Sequence, residues 1–221
     1  MTCEIIIPFH GRLDLLRRCL NALGNKHTII LVDDCSPEAI ELPVLRLKQR
    51  TGFVGAVNYA WTRCTKDVVI VLNSDTLPGP NLINKLIAVL KHDKSIAAVA
   101  PASDNRQDLF QYRECTSAPG TYSFTSYLTA ACLAIRREAI KTKQLFDPAY
   151  APGYFEDLDL CCRLKQDGWK LAILESERIH HEGAATFGCE PQLENILQNN
   201  YSRFSNQWGY LSEHNNLESL L

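Results

Sequence analysis

At 221 residues, with 46% hydrophobic and 22% charged side chains and a formal net charge of -2, the chain is long enough for one sizeable core and lacks the basic excess that condenses onto nucleic acid. No window approaches the ~18 consecutive apolar residues of a membrane span, and Met1-Thr2-Cys3-Glu4 has no basic start of a signal peptide. These features predict a cytoplasmic protein with no nucleic-acid partner and no transmembrane segment, leaving room for peripheral attachment to a membrane surface.

Glu4-Ile5-Ile6-Ile7-Pro8 reads as a buried strand ended by proline, followed by the polar loop Phe9-His10-Gly11-Arg12. Leu16, Cys19, Leu20 and Leu23 then recur at helical spacing up to Gly24. Thr28 to Val32 is a second strand that runs into Asp33-Asp34, and Leu45-Arg46-Leu47 a short third one. From Gly52, the residues Val54, Val57, Trp61 and Cys64 again follow a helical period.

The central element is Val68-Val69-Ile70-Val71-Leu72, an unbroken apolar run into Asn73-Ser74-Asp75. Such a run fits a strand buried on both faces, and ligands of open α/β sheets bind outside the carboxyl ends of the strands. After a Pro78-Gly79-Pro80 turn, Leu82, Leu86 and Leu90 mark a helix, and Ile96 to Ala100 a fifth strand. Alternation of this kind predicts a mostly parallel sheet with right-handed crossovers.

Between Pro101 and Thr129 the helical periods give way to polar and aromatic residues, which predicts irregular or antiparallel structure. Beyond it come a strand over Ala131 to Ile135, a short helix over Arg137 to Lys143, and a Pro-, Gly- and Tyr-rich loop over Phe146 to Phe155. Leu158, Cys161 and Leu164 trace a helix that stops at Gly168, followed by a strand over Lys170 to Leu174, the polar stretch Arg178 to Gly183, and a helix near Gln192 to Gln207.

The nine cysteines are an odd number set mostly inside apolar runs, without a C-x-x-C pair. They are expected to be buried free thiols in a reducing compartment.

Three acidic clusters and one histidine pair bear on chemistry: Asp33-Asp34, Asn73-Ser74-Asp75, Glu156-Asp157 with Asp159, and His180-His181. Singly, each acid suits a helix cap or a turn, and the histidine pair suits a polar loop. Jointly, their positions at strand ends point to a ligand edge. Asp75 with a nearby imidazole would form an oxygen and nitrogen site suited to Mn²⁺ or Mg²⁺ already bound to phosphate oxygens.

Ile5-Ile6-Ile7-Pro8, Val32-Asp33-Asp34-Cys35-Ser36, Gly52-Phe53 with Asn58, Leu72-Asn73-Ser74-Asp75-Thr76, the run Tyr154 to Leu164, and a final His-x-Gly occur in this order. The chain thereby resembles glycosyltransferase family 2, the inverting transferases of GT-A fold, over residues 3 to about 187. The resemblance implies an α/β GT-A fold, with a mostly parallel Rossmann-like sheet flanked by helices and a smaller acceptor-side half. It implies one domain over residues 1–211, with a nucleotide-binding half over about 1–100, an acceptor and catalytic half over about 101–211, and a tail over 212–221.

It also implies site roles. Pro8 with Phe9 and His10 would line the nucleotide pocket together with Gly52, Asn58, Asn73 and Ser74. Asp33 or Asp34 would accept the pyrimidine N3–H. Asp75 matches the second acid of the family's Asp-x-Asp metal motif, whose first acid is Asn73 here, as in the rhamnosyl- and galactofuranosyltransferase-like branch. Asp157 of the Glu156-Asp157 pair resembles the general base, and His181, with His180 as alternative, the histidine that reaches the metal. Donor and acceptor would be a UDP- or dTDP-sugar and a saccharide, lipid-linked or other hydroxyl.

Two rivals are a hydrolase or sugar nucleotidyltransferase, and a non-catalytic nucleotide-sugar-binding domain of the same fold. The first strand is followed by Gly11-Arg12 only, not by a Gly-rich phosphate loop with a lysine.

Overall fold

The computed structural model describes residues 1–38, 40–104, 111–112, 118–182 and 192–212. Strands β1 (Cys3–Phe9), β2 (Ile29–Asp33), β3 (Leu45–Arg46), β4 (Val68–Leu72) and β6 (Ile96–Ser103) alternate with helices α1 (Leu13–Leu23), α2 (Gly52–Trp61) and α3 (Leu82–His92), as the apolar periods predict. A three-residue strand, β5 (Thr76–Pro78), which the sequence did not announce, leads into the expected Pro78-Gly79-Pro80 turn. The second half carries β7 (Tyr122–Thr125), β8 (Cys132–Arg136), α4 (Glu156–Gln166), β9 (Lys170–His181) and α5 (Leu193–Ser212). The helix expected over Arg137 to Lys143 is only a 3₁₀ turn, Arg137–Ala139.

The sheet runs in the order β3-β2-β1-β4-β8-β6-β9-β5, with β7 on β9. Pairing is parallel from β3 through β4 and between β6 and β9. Strand β8 is antiparallel to both its neighbours. Its first residue, Cys132, therefore lies opposite Leu72 at the carboxyl end of β4, and the segment leading into it reaches the ligand edge.

The apolar runs are explained by burial on both faces. Ile6, Val69 and Val71 pack with Val54, Val57 and Trp61 of α2 and with Leu160 and Leu164 of α4. Ile5, Ile7, Ile70 and Leu72 point the other way, against Leu16 and Cys19 of α1 and Leu86 and Leu90 of α3. Alternate residues of one strand thus serve two cores.

Strand β9 is one element, not the two expected pieces. Its register against β6 jumps from Pro101↔Leu174 to Ala102↔Arg178. The polar residues Glu175 to Glu177 sit in that irregularity, and the Glu175 N–H is taken by the Thr121 carbonyl at 2.9 Å. The strand resumes and carries His180-His181, which are in a ladder with β5 and not in a loop: Thr76 pairs with His181 and Leu77 with His180. Gly183, the end of the His-x-Gly motif, lies outside the described residues.

Candidate active site

A cavity of about 540 Å³ opens where the carboxyl ends of β1, β4 and β9 meet the start of α4. From the sequence-predicted set it gathers Pro8, Phe9, His10, Asp34 and Gly52 on one side. Asn73, Ser74, Asp75 and His181 line the floor strands, and Glu156 and Asp157 enter from α4.

The histidine reaches the acid through the sheet. Because Thr76 is paired with His181, the adjacent Asp75 brings Oδ1 to 3.1 Å from His181 Nε2. Asn73 Nδ2 lies 3.3 Å from the same nitrogen, while Asn73 Oδ1 is buried with no hydrogen-bond partner among the described residues. Adjacent ligands of an octahedral ion with metal–oxygen bonds of about 2.1 Å lie about 3 Å apart, so the Asp75 and His181 atoms suit a shared divalent cation. Among the described residues, no cluster of three or more His, Cys, Asp or Glu side chains could hold a metal. The described residues would therefore contribute two strong ligands, Asp75 and His181, with phosphate oxygens and water beside them.

Asp157 and Glu156 share the first turn of α4, where the helix dipole favours negative charge. The turn is set up by two non-glycine residues at positive φ, Tyr154 (73°) and Phe155 (70°), each costing on the order of 1–2 kcal/mol. Surrounding contacts hold them there. Asn200 Nδ2 of α5 donates to the carbonyls of Tyr150, Gly153 and Tyr154 at 2.9–3.1 Å. The Phe155 ring packs on Tyr201 and Phe204. On the other side Gly52, at φ 75°, is so close to Pro152 that a Cβ would lie 2.3 Å from the proline's own.

The two carboxyls have different surroundings. Burial, with the charge of Asp157 beside it, raises Glu156 well above the ordinary carboxylate range. Its Oε2 has no hydrogen-bond partner among the described residues. Burial also raises Asp157, but the Tyr127 hydroxyl and the amides of Leu158 and Ala130 oppose this by donating to its oxygens. Asp157 is accordingly the more readily ionised member of the pair and Glu156 the more readily protonated one.

Three predicted residues lie outside the cavity lining. Asp33 is fully buried, accepting from the Ser36 amide at 2.7 Å and from Arg46. Asn58 is buried against the Phe146 backbone, donating to its carbonyl at 2.8 Å and accepting its N–H at 2.9 Å. His180 pairs through Nδ1 with Asp104 at 2.8 Å, on the strand face opposite to its neighbour. Asp34 stays at the cavity, but its carboxylate is occupied by the amides of Thr51 and Gly52 at 2.7 Å and by the Thr51 hydroxyl.

Sequence reasoning missed Arg50, Gln111, Tyr127 and Glu182, all of which line the cavity. None belongs to a periodic pattern; only Glu182, beside His181, had a positional signal. Cys19, Cys64, Cys132 and Cys161 are buried free thiols. Burial raises Cys19 to about 11 and Cys64 to about 12, so both remain protonated.

A family model for glycosyl transferase family 2 matches residues 4–143. The dolichol-phosphate mannosyltransferase of Pyrococcus furiosus is 32% identical over 113 residues, 44% of this chain and 32% of that protein. The chain thus spans about a third of the length of that curated relative. Among solved structures, GalNAc-T7 with UDP, GalNAc and Mn²⁺ superimposes with a TM-score of 0.71 at 18% identity, over 94% of this chain and 48% of that one. S. aureus TarS in complex with UDP-GlcNAc superimposes with a TM-score of 0.63 at 14% identity, over 93% and 67% respectively. The α/β architecture is the GT-A fold of these proteins.

Proposed function

Since this chain belongs to glycosyl transferase family 2, we propose that it is an inverting glycosyltransferase that moves a sugar from a UDP- or dTDP-sugar to an acceptor hydroxyl. One observation carries the reading: a single cavity is lined by the Asp75 and His181 pair from the sheet and by Asp157 from α4. The UDP, UDP-GlcNAc and Mn²⁺ of the similar structures support the donor class.

Asp157 is the general base. It takes the proton of the acceptor hydroxyl as that oxygen bonds to the anomeric carbon, and the bond from that carbon to the diphosphate breaks with its electron pair leaving on the phosphate oxygen. Such a role is typically worth ~10²–10⁴ in rate. Attack opposite the leaving group inverts the anomeric centre. Asp75 and His181 would hold Mn²⁺ or Mg²⁺, which would supply positive charge to the diphosphate. The wall formed by Pro8, Phe9, His10 and Gly52 receives the nucleoside. Glu156, whose burial beside Asp157 favours its protonated form, offers a hydroxyl-binding group.

A thermal-shift screen of UDP- and dTDP-sugars with and without Mn²⁺, followed by nucleotide-release assays with saccharide acceptors, tests the reading. The expected result is a cation-dependent shift and acceptor-dependent release. Sugar release to water at an undiminished rate without acceptor would favour a hydrolase. Absence of both shift and release would overturn the proposal.

A further inference from the structure

The segment joining β7 to β8 crosses the start of α4 and aims a phenol at the base. Tyr127 donates its hydroxyl to Asp157 Oδ2 at 2.9 Å, and the Ala130 amide approaches the same oxygen at 3.4 Å. Asp157 Oδ1 accepts the Leu158 N–H at 2.8 Å. Glu156, next in the chain, has a buried oxygen with no such donor among the described residues.

We propose that Tyr127 is the positioning residue of the general base: its hydroxyl fixes the Asp157 carboxylate in one orientation and stabilises its ionised form, a donor for which Glu156 Oε2 has no counterpart among the described residues. The proposal rests on the reading of Asp157 as base.

The segment is fastened at each step. The Thr125 hydroxyl donates to the Tyr127 carbonyl at 3.1 Å and accepts the Tyr127 N–H at 3.4 Å. Leu128 brackets Cys161 of α4, its N–H on Sγ at 3.4 Å and its carbonyl taking the S–H at 3.7 Å. Gln111 Oε1 accepts the Thr129 N–H at 2.9 Å. The Ala131 carbonyl then accepts the Asn73 N–H at 2.9 Å, which joins the segment to the end of β4. A donor held on this many anchors is preorganised toward the carboxylate and needs no rearrangement when the acceptor arrives.

The chemistry favours one direction. Burial, reinforced by the charge of Asp157, pushes the Tyr127 phenol up, so it keeps its own proton and acts as donor. A donor held on a carboxylate stabilises the ionised form over the protonated one, so Asp157 is ready to accept a proton and releases it again after transfer. Among the described residues, the titratable groups that interact with Asp157 include Glu156 and Cys161 on its own helix and Tyr127 from the crossing segment. Arg50, Asp34, Asp75 and Glu182, with His10 and His181, line the same cavity.

Tyr127→Phe keeps the ring and removes the donor. The acid limb of kcat/KM against pH should move to higher pH, so that at a pH on that limb the rate falls about 10-fold, while the plateau at higher pH stays within a few-fold of wild type. Carboxyl-¹³C NMR, with Asp157 assigned through Asp157→Asn, should show its titration midpoint displaced upward. Placing 3,5-difluorotyrosine at position 127, a stronger donor of nearly the same size, should displace both readouts downward. Unchanged midpoints in both variants, or a loss of rate equal at every pH, would overturn the proposal. Midpoints that move in a protein that transfers no sugar would uphold the positioning role and reject the assignment of Asp157 as base.

Discussion

Asp75 Oδ1 stands 3.1 Å from His181 Nε2 because the residue after Asp75 is paired with that histidine across the β5–β9 ladder. Neither side chain takes part in the two cores. Asp75→Ala should therefore fold normally and lose cation-dependent binding of a nucleoside diphosphate. Calorimetry with UDP and Mn²⁺ checks this; an unchanged affinity would remove Asp75 from the cation site.

The same ladder separates the two histidines, since successive residues of a strand point to opposite faces. His181 faces Asp75 and Asn73, whereas His180 faces Asp104. With a neutral Asn73 in place of a first acid, the imidazole would carry a larger share of the affinity for a cation. His181→Ala should weaken Mn²⁺-dependent nucleotide binding by ~10-fold or more, as expected for a lost metal-site group, and His180→Ala should leave it near wild type. The reverse order would transfer the role to His180.

Asp157→Asn keeps the shape and the Leu158 contact but cannot take the acceptor's proton. Turnover should fall by ~10²-fold or more with donor affinity retained, measured as nucleotide release and as calorimetric binding on the same preparation. Near-normal turnover would exclude Asp157 as the base.

Glu156 predicts a pH-dependent stability. Its folded value is raised by burial and by Asp157, so its favourable contribution is fully present below about pH 4.3, the value of an unstructured glutamate, and is lost as pH rises through the folded value. Glu156→Gln removes that loss. The variant should melt higher than wild type at pH 8, and the gap should close toward pH 4; a constant gap across the range would show that Glu156 is not held neutral.

Gly52 tests the contact that seats the loop before α4. Gly52→Ala adds a Cβ against Pro152 in a backbone conformation that L residues rarely adopt, at a cost of about 2–4 kcal/mol. Gly168→Ala serves as a control, because Gly168 also has positive φ but nothing lies within 4 Å of a built Cβ. Denaturant midpoints should separate the two, with the loss at position 52 clearly the larger.

Where burial imposed a pattern, the sequence was readable. Val68 to Leu72 had to be apolar at every position because the two cores use alternate residues, and that run located the edge where the cavity opens. Strand β5 left no such trace: it is three residues long, ends in Pro78, and is defined only by its pairing with β9. The polar residues Glu175 to Glu177 looked like the end of a strand, yet the β6–β9 ladder passes over them by shifting register. Asp33 and Asn58 satisfied the motif and were still drawn into structural hydrogen bonds with Arg46 and the Phe146 backbone. Tyr127 had no local signal, since its relation to Asp157 exists only once β8 is inserted antiparallel to β4.

That antiparallel insertion also has a mechanical consequence. From β3 to β5 each strand is hydrogen-bonded to the next, so β4, β5 and β9, at whose ends Asp75 and His181 stand, and β8, which the Tyr127 segment enters, belong to one sheet. Donors of different size must then be accommodated by the loops and side chains at its rim. Attempts to retune the choice of sugar should accordingly be directed at the Tyr150 to Phe155 loop and the side chains around Gln111, leaving the strand ends untouched.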